Sequence, residues 1–288
     1  MADFITRFAP SPTGPLHLGH AYSALLAHDV ARANDGAFFL RIEDIDRTRA
    51  RSHWEEQIYE DLNWLGITWD AEPIRQSDRL PAYQAALDSL WKRGLVYPCT
   101  CSRKDILAAG SAPQEGAPPA FGPDGLIYPG TCRHKPRPDL MPEGTALRLD
   151  ISRAVDLLTQ AGESRLHFTE TAARDLNTQV PLPDMIANVG DIVLSRRDFL
   201  GSYHLAVVLD DAAQGITHVI RGEDIAPATQ IHVLLQRLFT LPTPTYCHHG
   251  LIRDEAGKRL AKRDDARAIA KYREDGATPL DIRKMVGL

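Results

Sequence analysis

Residues 5–9 form an apolar run dense enough for a buried strand. It breaks off where Pro10, Pro12, Gly14 and Pro15 forbid regular structure. From there Leu18, Tyr22, Leu25, Leu26 and Val30 recur at helical spacing, so the chain opens as strand, tight turn and helix. The run Ala37-Phe38-Phe39-Leu40-Arg41-Ile42 predicts the next parallel strand. It leads into Glu43-Asp44-Ile45-Asp46, acidic groups at the strand end where open α/β sheets bind ligands. Residues 52–65 are helical by period, with Trp54, Ile58, Leu62 and Leu65 on one face. A second helix is expected over 79–94, ending at Gly94.

The texture changes over 108–143, which is crowded with Pro and Gly and reads as loop, with 108–125 expected to move. Residues 145–150 and 166–168 suggest short strands of a small inserted module. Regular βα order is expected to resume at Asp191-Ile192-Val193-Leu194 and to continue through 204–209, 217–220 and a long helix over 228–239. There is no internal repeat. The pattern predicts an α/β fold, one doubly wound parallel sheet of Rossmann type interrupted by a small α+β insertion. The expected boundaries are 1–98 for the first half, 99–190 for the insertion, 191–265 for the second half and 266–288 for a short helical C-terminal segment.

Composition narrows the function classes. Hydrophobic content of 43% with 25% charge suits a soluble globular chain, and no apolar run reaches bilayer length. The polar start Met1-Ala2-Asp3 is unlike a signal peptide, so the cytoplasm is the expected compartment, with no membrane partner. Four cysteines in 288 residues do not make a disulfide framework. A net charge of −5 argues against a DNA-coating protein and restricts any RNA contact to local patches. Candidate patches are Arg133-His134-Lys135-Pro136-Arg137, Arg196-Arg197, Lys258-Arg259 and Lys262-Arg263, although such runs are commonly just solvated faces. A monomer is expected.

The chemistry concentrates in three places. In His17-Leu18-Gly19-His20 the imidazoles are three apart, so at a helix start they share a face. Neutral donors beside a helix N-terminus seat phosphate oxygens, and Gly19 lets a ring or backbone approach. A bare H-x-x-H could equally just begin an amphipathic helix. The second place is Gly257-Lys258-Arg259-Leu260-Ala261-Lys262-Arg263-Asp264, a basic loop able to close on a triphosphate or, alternatively, a solvated turn. The third is Cys99-Thr100-Cys101 with Tyr128-Pro129-Gly130-Thr131-Cys132, three thiols that suggest zinc and leave a fourth ligand open. Cys247 stands apart and is expected to be a small buried hydrophobe.

The two phosphate-directed motifs together resemble the class I aminoacyl-tRNA synthetases. More narrowly, R-F-A-P-S-P-T-G-P-L-H-L-G-H over 7–20, L-R-I-E-D-I-D over 40–46 and G-I-T-H-V-I-R-G-E-D-I over 215–225 are similar to the glutamate-specific branch. The resemblance extends to A-K-Y-R-E-D-G over 270–276. The chain ends 25 residues after Arg263 (288 − 263), where a full glutamyl-tRNA synthetase would continue into an anticodon-reading helical domain. It therefore resembles the shortened paralogue family, the glutamyl-Q tRNA(Asp) synthetases, and no anticodon-binding domain is expected.

That resemblance implies an ATP-dependent ligase. It would activate L-glutamate without tRNA and attach it to queuosine 34 of tRNA(Asp). It implies that Arg7 pairs with the glutamate side-chain carboxylate, that Phe8, Ala9, Pro10 and Ser11 line the same pocket, and that Glu43 holds the α-ammonium. Tyr203 and Arg221 would complete recognition of the carboxylates. His17, Gly19, His20, Asp224 and Lys262 would bind ATP, with His17, His20 and Lys262 acting in catalysis and Mg²⁺ accompanying the nucleotide. One structural Zn²⁺ would be held by Cys99, Cys101, Tyr128 and Cys132, with His134 competing for the fourth position. Arg259 and Ala261 depart from the family's basic loop, keeping a charge and losing a hydroxyl. Outside the motifs, Arg7, Glu43 and Arg221 would read as structural ion pairs at strand ends. Two rival functions are a truncated glutamyl-tRNA synthetase charging the 3′ end of tRNA(Glu), and a non-catalytic tRNA-binding paralogue.

Overall fold

The computed structural model describes residues 3–110, 121–172, 177–253 and 267–288. The opening pattern becomes β1 (Ile5–Phe8) and α1 (Leu18–Ala33), followed by β2 (Ala37–Ile42), α2 (Ser52–Trp64) and the short β3 (Ile74–Arg75). The helix expected over 79–94 begins as a 3₁₀ turn over 76–79. It becomes α-helical only as α3 (Leu80–Lys92), because Pro81 suits the first helical turn, where its missing N–H is not needed.

The intervening segment carries β4 (Val96–Cys99), α4 (Arg103–Gly110), β5 (Phe121–Gly122), β6 (Gly125–Leu126), β7 (Ala146–Leu149), α5 (Ile151–Gln160), β8 (Arg165–Thr169), β9 (Asn177–Pro181), α6 (Leu182–Asn188) and β10 (Val193–Ser195). The chain then makes α7 (Tyr203–Ala213), β11 (His218–Gly222), a 3₁₀ segment over 223–228, α8 (Thr229–Phe239), β12 (Thr245–His249), α9 (Ile269–Glu274) and α10 (Pro279–Val286). The motion expected of 108–125 falls mostly on 111–120, which lie outside the described residues; 121–126 form the β5–β6 hairpin.

As the pattern predicts, β1 and β2 pair in parallel, with Ile5 opposite Ala37, and β3 extends that sheet. β11 and β12 form a second parallel pair. The Thr217 N–H donates to Ile5 O at 2.9 Å, which brings β11 beside β1. The strands therefore run β3-β2-β1-β11-β12, and the winding direction reverses between β1 and β11. In open α/β sheets that reversal leaves a crevice at the carboxyl ends of the two strands.

One expectation is corrected here. Regular βα order does not resume at 191–194: β10 pairs antiparallel with β7, whose other neighbour is β4, and parallel order returns only with β11. A three-residue apolar run specifies burial but not the direction of its partner. The β8–β9 hairpin reaches the parallel sheet at its β12 edge, where Thr171 N–H donates to Tyr246 O at 2.8 Å.

Alternation along the strands assigns their two faces. Phe38 and Leu40 join a cluster with Leu18 and Leu25 of α1, while Ile5 and Phe39 face a cluster containing Leu87, Leu205 and Leu234. Ile269, Ile282 and Val286 belong to the α1-side cluster, so the C-terminal helices complete the N-terminal half. A bidentate Arg283–Asp29 pair at 2.6 and 3.0 Å fixes α10 on α1. Cys247, expected to be a small buried hydrophobe, is half-buried against the same cluster. Among the described residues no helix is long and apolar enough to cross a membrane.

Candidate active site

A cavity of about 490 Å³ opens at the carboxyl ends of β1, β2 and β11. Its walls bring together Arg7, Phe8, Ala9, Pro10, Ser11, His17, Gly19, His20, Glu43, Tyr203, Arg221 and Asp224, residues drawn from both ends of the chain. Lys262, with Lys258, Arg259, Ala261 and Arg263, lies outside the described residues. The described chain on either side of it is at the site. Leu251 and Ile252 line the cavity, Ala268 forms a β-bridge with His17, and Ile269 N–H donates to Leu16 O at 2.8 Å.

The two imidazoles cap α1. His17 is the N-cap, and its Nδ1 accepts the Gly19 N–H at 3.1 Å; His20 Nδ1 accepts the His17 N–H at 3.2 Å. The rings lie 3.8 Å apart. Because each Nδ1 accepts from backbone, a neutral ring carries its proton on Nε2. The cap thus fixes both tautomers and makes both rings donors at a helix N-terminus.

Arg7 and Arg41 occupy the face of β1 and β2 that meets α7. Asp211 receives Arg7 Nε at 2.9 Å, Arg7 Nη2 at 3.2 Å and Arg41 Nη1 at 2.6 Å. Arg41 Nη2 reaches Glu43 Oε1 at 3.2 Å. Burial opposes charge on Asp211, but the guanidiniums of Arg7 and Arg41 override it and hold the carboxyl at about 2. Burial pushes the Glu43 carboxyl up, against the pull of Arg41 and Arg7. The Pro10–Pro12 turn sets Glu43 at the cavity through its N–H, which donates to Pro10 O at 3.0 Å.

Arg221, at the end of β11, is held differently. It donates through Nε to His248 Nε2 at 3.0 Å, through Nη1 to His232 Nδ1 at 3.2 Å and through Nη2 to Thr229 Oγ1 at 2.8 Å. No carboxylate touches it among the described residues. Tyr203 stands beside it at the start of α7, its phenol pushed up by burial. Gly222 follows, and a Cβ there would come within 2.5 Å of Asp224 Oδ1, so glycine lets that carboxylate fold back to the cavity wall.

A separate cluster closes around the cysteines. The Sγ atoms of Cys99, Cys101 and Cys132 lie within 4.8 Å of one another. Tyr128 Oη is 3.4 Å from Cys99 Sγ and 3.3 Å from Cys101 Sγ, and Cys101 and Cys132 Sγ are 3.6 Å apart. A tetrahedron with Zn–S near 2.3 Å has edges of about 3.8 Å, close to the Cys101–Cys132 separation, so three thiols and a phenol make a donor set that a zinc ion could take. His134 is exposed and outside the cluster, so the oxygen facing the sulfurs is that of Tyr128.

The residue-level reading of the sequence missed Asp211, Arg41, Glu170, His232 and His248. A usable signal existed for one of them. Asp210-Asp211 puts two carboxylates in the last turn of a helix directly after the apolar run Leu205–Leu209. Asp210 is spent on structure, accepting Tyr83 Oη at 2.7 Å and Gln76 Nε2 at 3.1 Å.

Residues 3–119 and 169–288 match the family model described as tRNA synthetases class I (E and Q), catalytic domain. The glutamyl-Q tRNA(Asp) synthetase of Rhodobacter capsulatus is 62% identical over 288 residues, covering 99% of this chain and all of that one. The protein of the same name from Symbiobacterium thermophilum is 40% identical over 281 residues, 82% of its length. A glutamate tRNA ligase from Elizabethkingia meningosepticum, solved in complex with its amino acid, superposes with a TM-score of 0.75 at 29% identity; this chain spans 60% of that chain's length. Methionyl-tRNA synthetase from Mycobacterium tuberculosis, bound by methionyl-adenylate, shares the fold with a TM-score of 0.64 at 11% identity.

Proposed function

The chain belongs to the class I tRNA synthetases of the glutamate and glutamine type, and on that premise we propose that it joins L-glutamate to ATP without tRNA and passes the glutamate to queuosine 34 of tRNA(Asp). The observation that carries the amino-acid half is Arg221, a buried guanidinium on the cavity wall whose contacts are all neutral acceptors. Such a charge favours a carboxylate over the uncharged amide of glutamine. Arg7 uses Nε and Nη2 on Asp211, which leaves Nη1 for the substrate's side-chain carboxylate. Glu43 supplies the counter-charge for the α-ammonium, with Tyr203 and the 8–11 turn closing the pocket.

In the activation step an oxygen of the glutamate α-carboxylate attacks the α-phosphorus of ATP. The bond from that phosphorus to the bridging oxygen breaks, and pyrophosphate leaves. The substrate is its own nucleophile, so the protein contributes positioning and charge stabilisation. His17 and His20 offer Nε2–H donors to the phosphates, Gly19 leaves space for the nucleotide, and Asp224 faces its side of the cavity. Lys262 supplies the ammonium that meets charge growing on the departing pyrophosphate; each such contact is worth about 2–4 kcal/mol in the barrier. Mg²⁺ accompanying ATP would supply counter-charge to its phosphates. In the second step a queuosine hydroxyl attacks the activated carbonyl, loses its proton, and AMP departs. Cys99, Cys101, Cys132 and Tyr128 would hold one Zn²⁺, whose contribution is to tie 99–101 to 128–132.

The test is glutamate-dependent ATP–pyrophosphate exchange in the absence of tRNA, followed by charging of three tRNAs. We expect exchange with glutamate and none with glutamine. Glutamate should pass to queuosine-containing tRNA(Asp) and not to its queuosine-free form or to tRNA(Glu). Acceptance by tRNA(Glu) without acceptance by queuosine-containing tRNA(Asp) would reverse the assignment. A folded protein with no exchange at all would point to a non-catalytic role.

A further inference from the structure

An arginine side chain has donors only, so every group it bonds must accept. Arg221 therefore dictates the tautomers of the imidazoles around it. His248 accepts on Nε2, so its proton sits on Nδ1, which meets the Glu170 carboxylate. His232 accepts on Nδ1, so its proton sits on Nε2, 3.2 Å from His204 Nδ1. His204 must then carry its proton on Nε2, which reaches Asp124 Oδ1 at 3.1 Å. Two directed lines of hydrogen bonds leave one guanidinium and end on two carboxylates.

Both carboxylates lie in the segment between β4 and β10, whereas Arg221 lies on the parallel sheet. Asp124 sits in the turn between β5 and β6, with 44% of its side chain exposed. Glu170 follows β8 and is fixed by the N–H groups of Ala172 at 3.0 Å and His248 at 3.1 Å. The imidazole side chains are buried; burial and the neighbouring Arg221 push His232 well down, and they lower His248 too, against the pull of Glu170. The contrast with Arg7 is informative. Arg7 shares the Asp211 carboxylate with Arg41 and keeps one nitrogen for a ligand, while only neutral groups hold Arg221, so no protein carboxylate offsets its charge.

We propose that His232, His204 and His248 are positioning residues that orient Arg221 for a substrate carboxylate, and that Asp124 and Glu170 tie this orientation to the inserted segment. The inference rests on the glutamate reading of the cavity and deepens it. Seating of the β5–β6 turn then sets the affinity for the amino acid, through bonds that run from the exposed Asp124 to the buried His204, His232 and Arg221.

Glutamate-dependent pyrophosphate exchange with four variants tests it. His232→Phe removes the acceptor at Nη1 and should raise the glutamate KM by about ten-fold or more, since bonds to charged groups are the strong ones. The ATP KM should stay near the wild-type value. His232→Asn presents an oxygen where Nδ1 stood and should recover most of the affinity. Asp124→Ala, at the exposed end, should raise the glutamate KM by about three-fold, and Asp124→Asn, which keeps an acceptor, should reverse that. An unchanged glutamate KM in folded His232→Phe, or an equal rise for ATP, overturns the proposal; if His232→Phe does not fold, the Asp124 pair decides. Histidine ¹⁵N chemical shifts of the ligand-free protein give a reading independent of substrate. Protons on Nδ1 of His248 and on Nε2 of His232 and His204 support the relay, and any other pattern refutes it. A wild-type protein that shows the relay yet supports no glutamate-dependent exchange would bring down the functional reading instead.

Discussion

Asp211 is the residue on which the cavity's charge pattern turns. It is buried, it accepts from Arg7 and Arg41, and its carboxyl is held at about 2. A carboxylate depressed in the native state stabilises the fold above its unfolded value of about 3.9, and that contribution drains away as pH falls through 2. Asp211→Ala would strand two buried guanidiniums. We expect a loss of roughly 3–5 kcal/mol in chemical denaturation and no measurable exchange activity. Asp211→Asn should keep more stability and flatten the acid limb between pH 4 and 2; an acid limb identical to wild type would assign that limb to other carboxylates. The site was unevenly legible at this scale. Arg7, Glu43 and Arg221 stand inside continuous motifs at strand ends, where local order alone marks them. Asp211 is 204 positions from Arg7, and His232 and His248 stand in apolar company where a histidine carries no local signal. What pairs buried charges is the crossing of elements, and one-dimensional order does not encode it.

At the scale of elements, the C-terminal helices are docked by a pair under tension. Asp61 of α2 is completely buried and neither carboxylate oxygen has a hydrogen-bond partner; its nearest cation, Arg273 of α9, stands off at 3.6 Å. Burial pushes the carboxyl up to about 6, against Arg273 and with Glu60. Here the sign is the reverse of Asp211. The native state binds the proton more tightly than the unfolded chain, so stability falls as pH rises from 4 to 6 and stays lower above. Asp61→Asn should remove a penalty on the order of 3 kcal/mol at pH 8 and change little at pH 4, read from melting temperatures at the two pH values. Equal shifts at both would mean that the carboxylate is not the titrating group. The consequence reaches the cavity, because α9 follows directly on the strand-like pairing of Ala268 with His17. Elements themselves were largely legible, since periodicity reports which face is buried. Pairing was less so: β10 satisfies the apolar pattern of a parallel strand yet joins the antiparallel sheet of β4 and β7.

Across the whole molecule, the cavity draws its walls from residues 7–43 and 203–252, so the two halves of the parallel sheet meet around it, and Asp124 and Glu170 of the intervening segment bond the imidazoles His204 and His248 behind Arg221. The cysteine cluster packs as a small core of its own with Tyr97 and Ile106, apart from the two large clusters that support the sheet. With a net charge of −5, contact with RNA would rely on locally basic segments; in Arg133-His134-Lys135-Pro136-Arg137, which begins immediately after Cys132, Arg133 pairs with Asp191 at 2.8 Å and Arg137 lies over the Trp91 ring. On the proposed reaction, this separation predicts that activation and transfer respond differently to disruption of the cysteine cluster. Cys132→Ser, or treatment with a chelator, should reduce transfer to tRNA by about ten-fold or more while pyrophosphate exchange retains most of its rate, since neither the imidazole cap of α1 nor the Arg7–Asp211 pair touches the cluster. Tyr128 lies two residues beyond β6, so loosening the cluster also loosens the turn bearing Asp124. The glutamate KM should therefore rise modestly, in the same sense as in Asp124→Ala, and the effects of chelation and Asp124→Ala should fail to add. Parallel loss of exchange and transfer, with no selective shift in the glutamate KM, would mean that the cluster supports the whole fold rather than transfer alone.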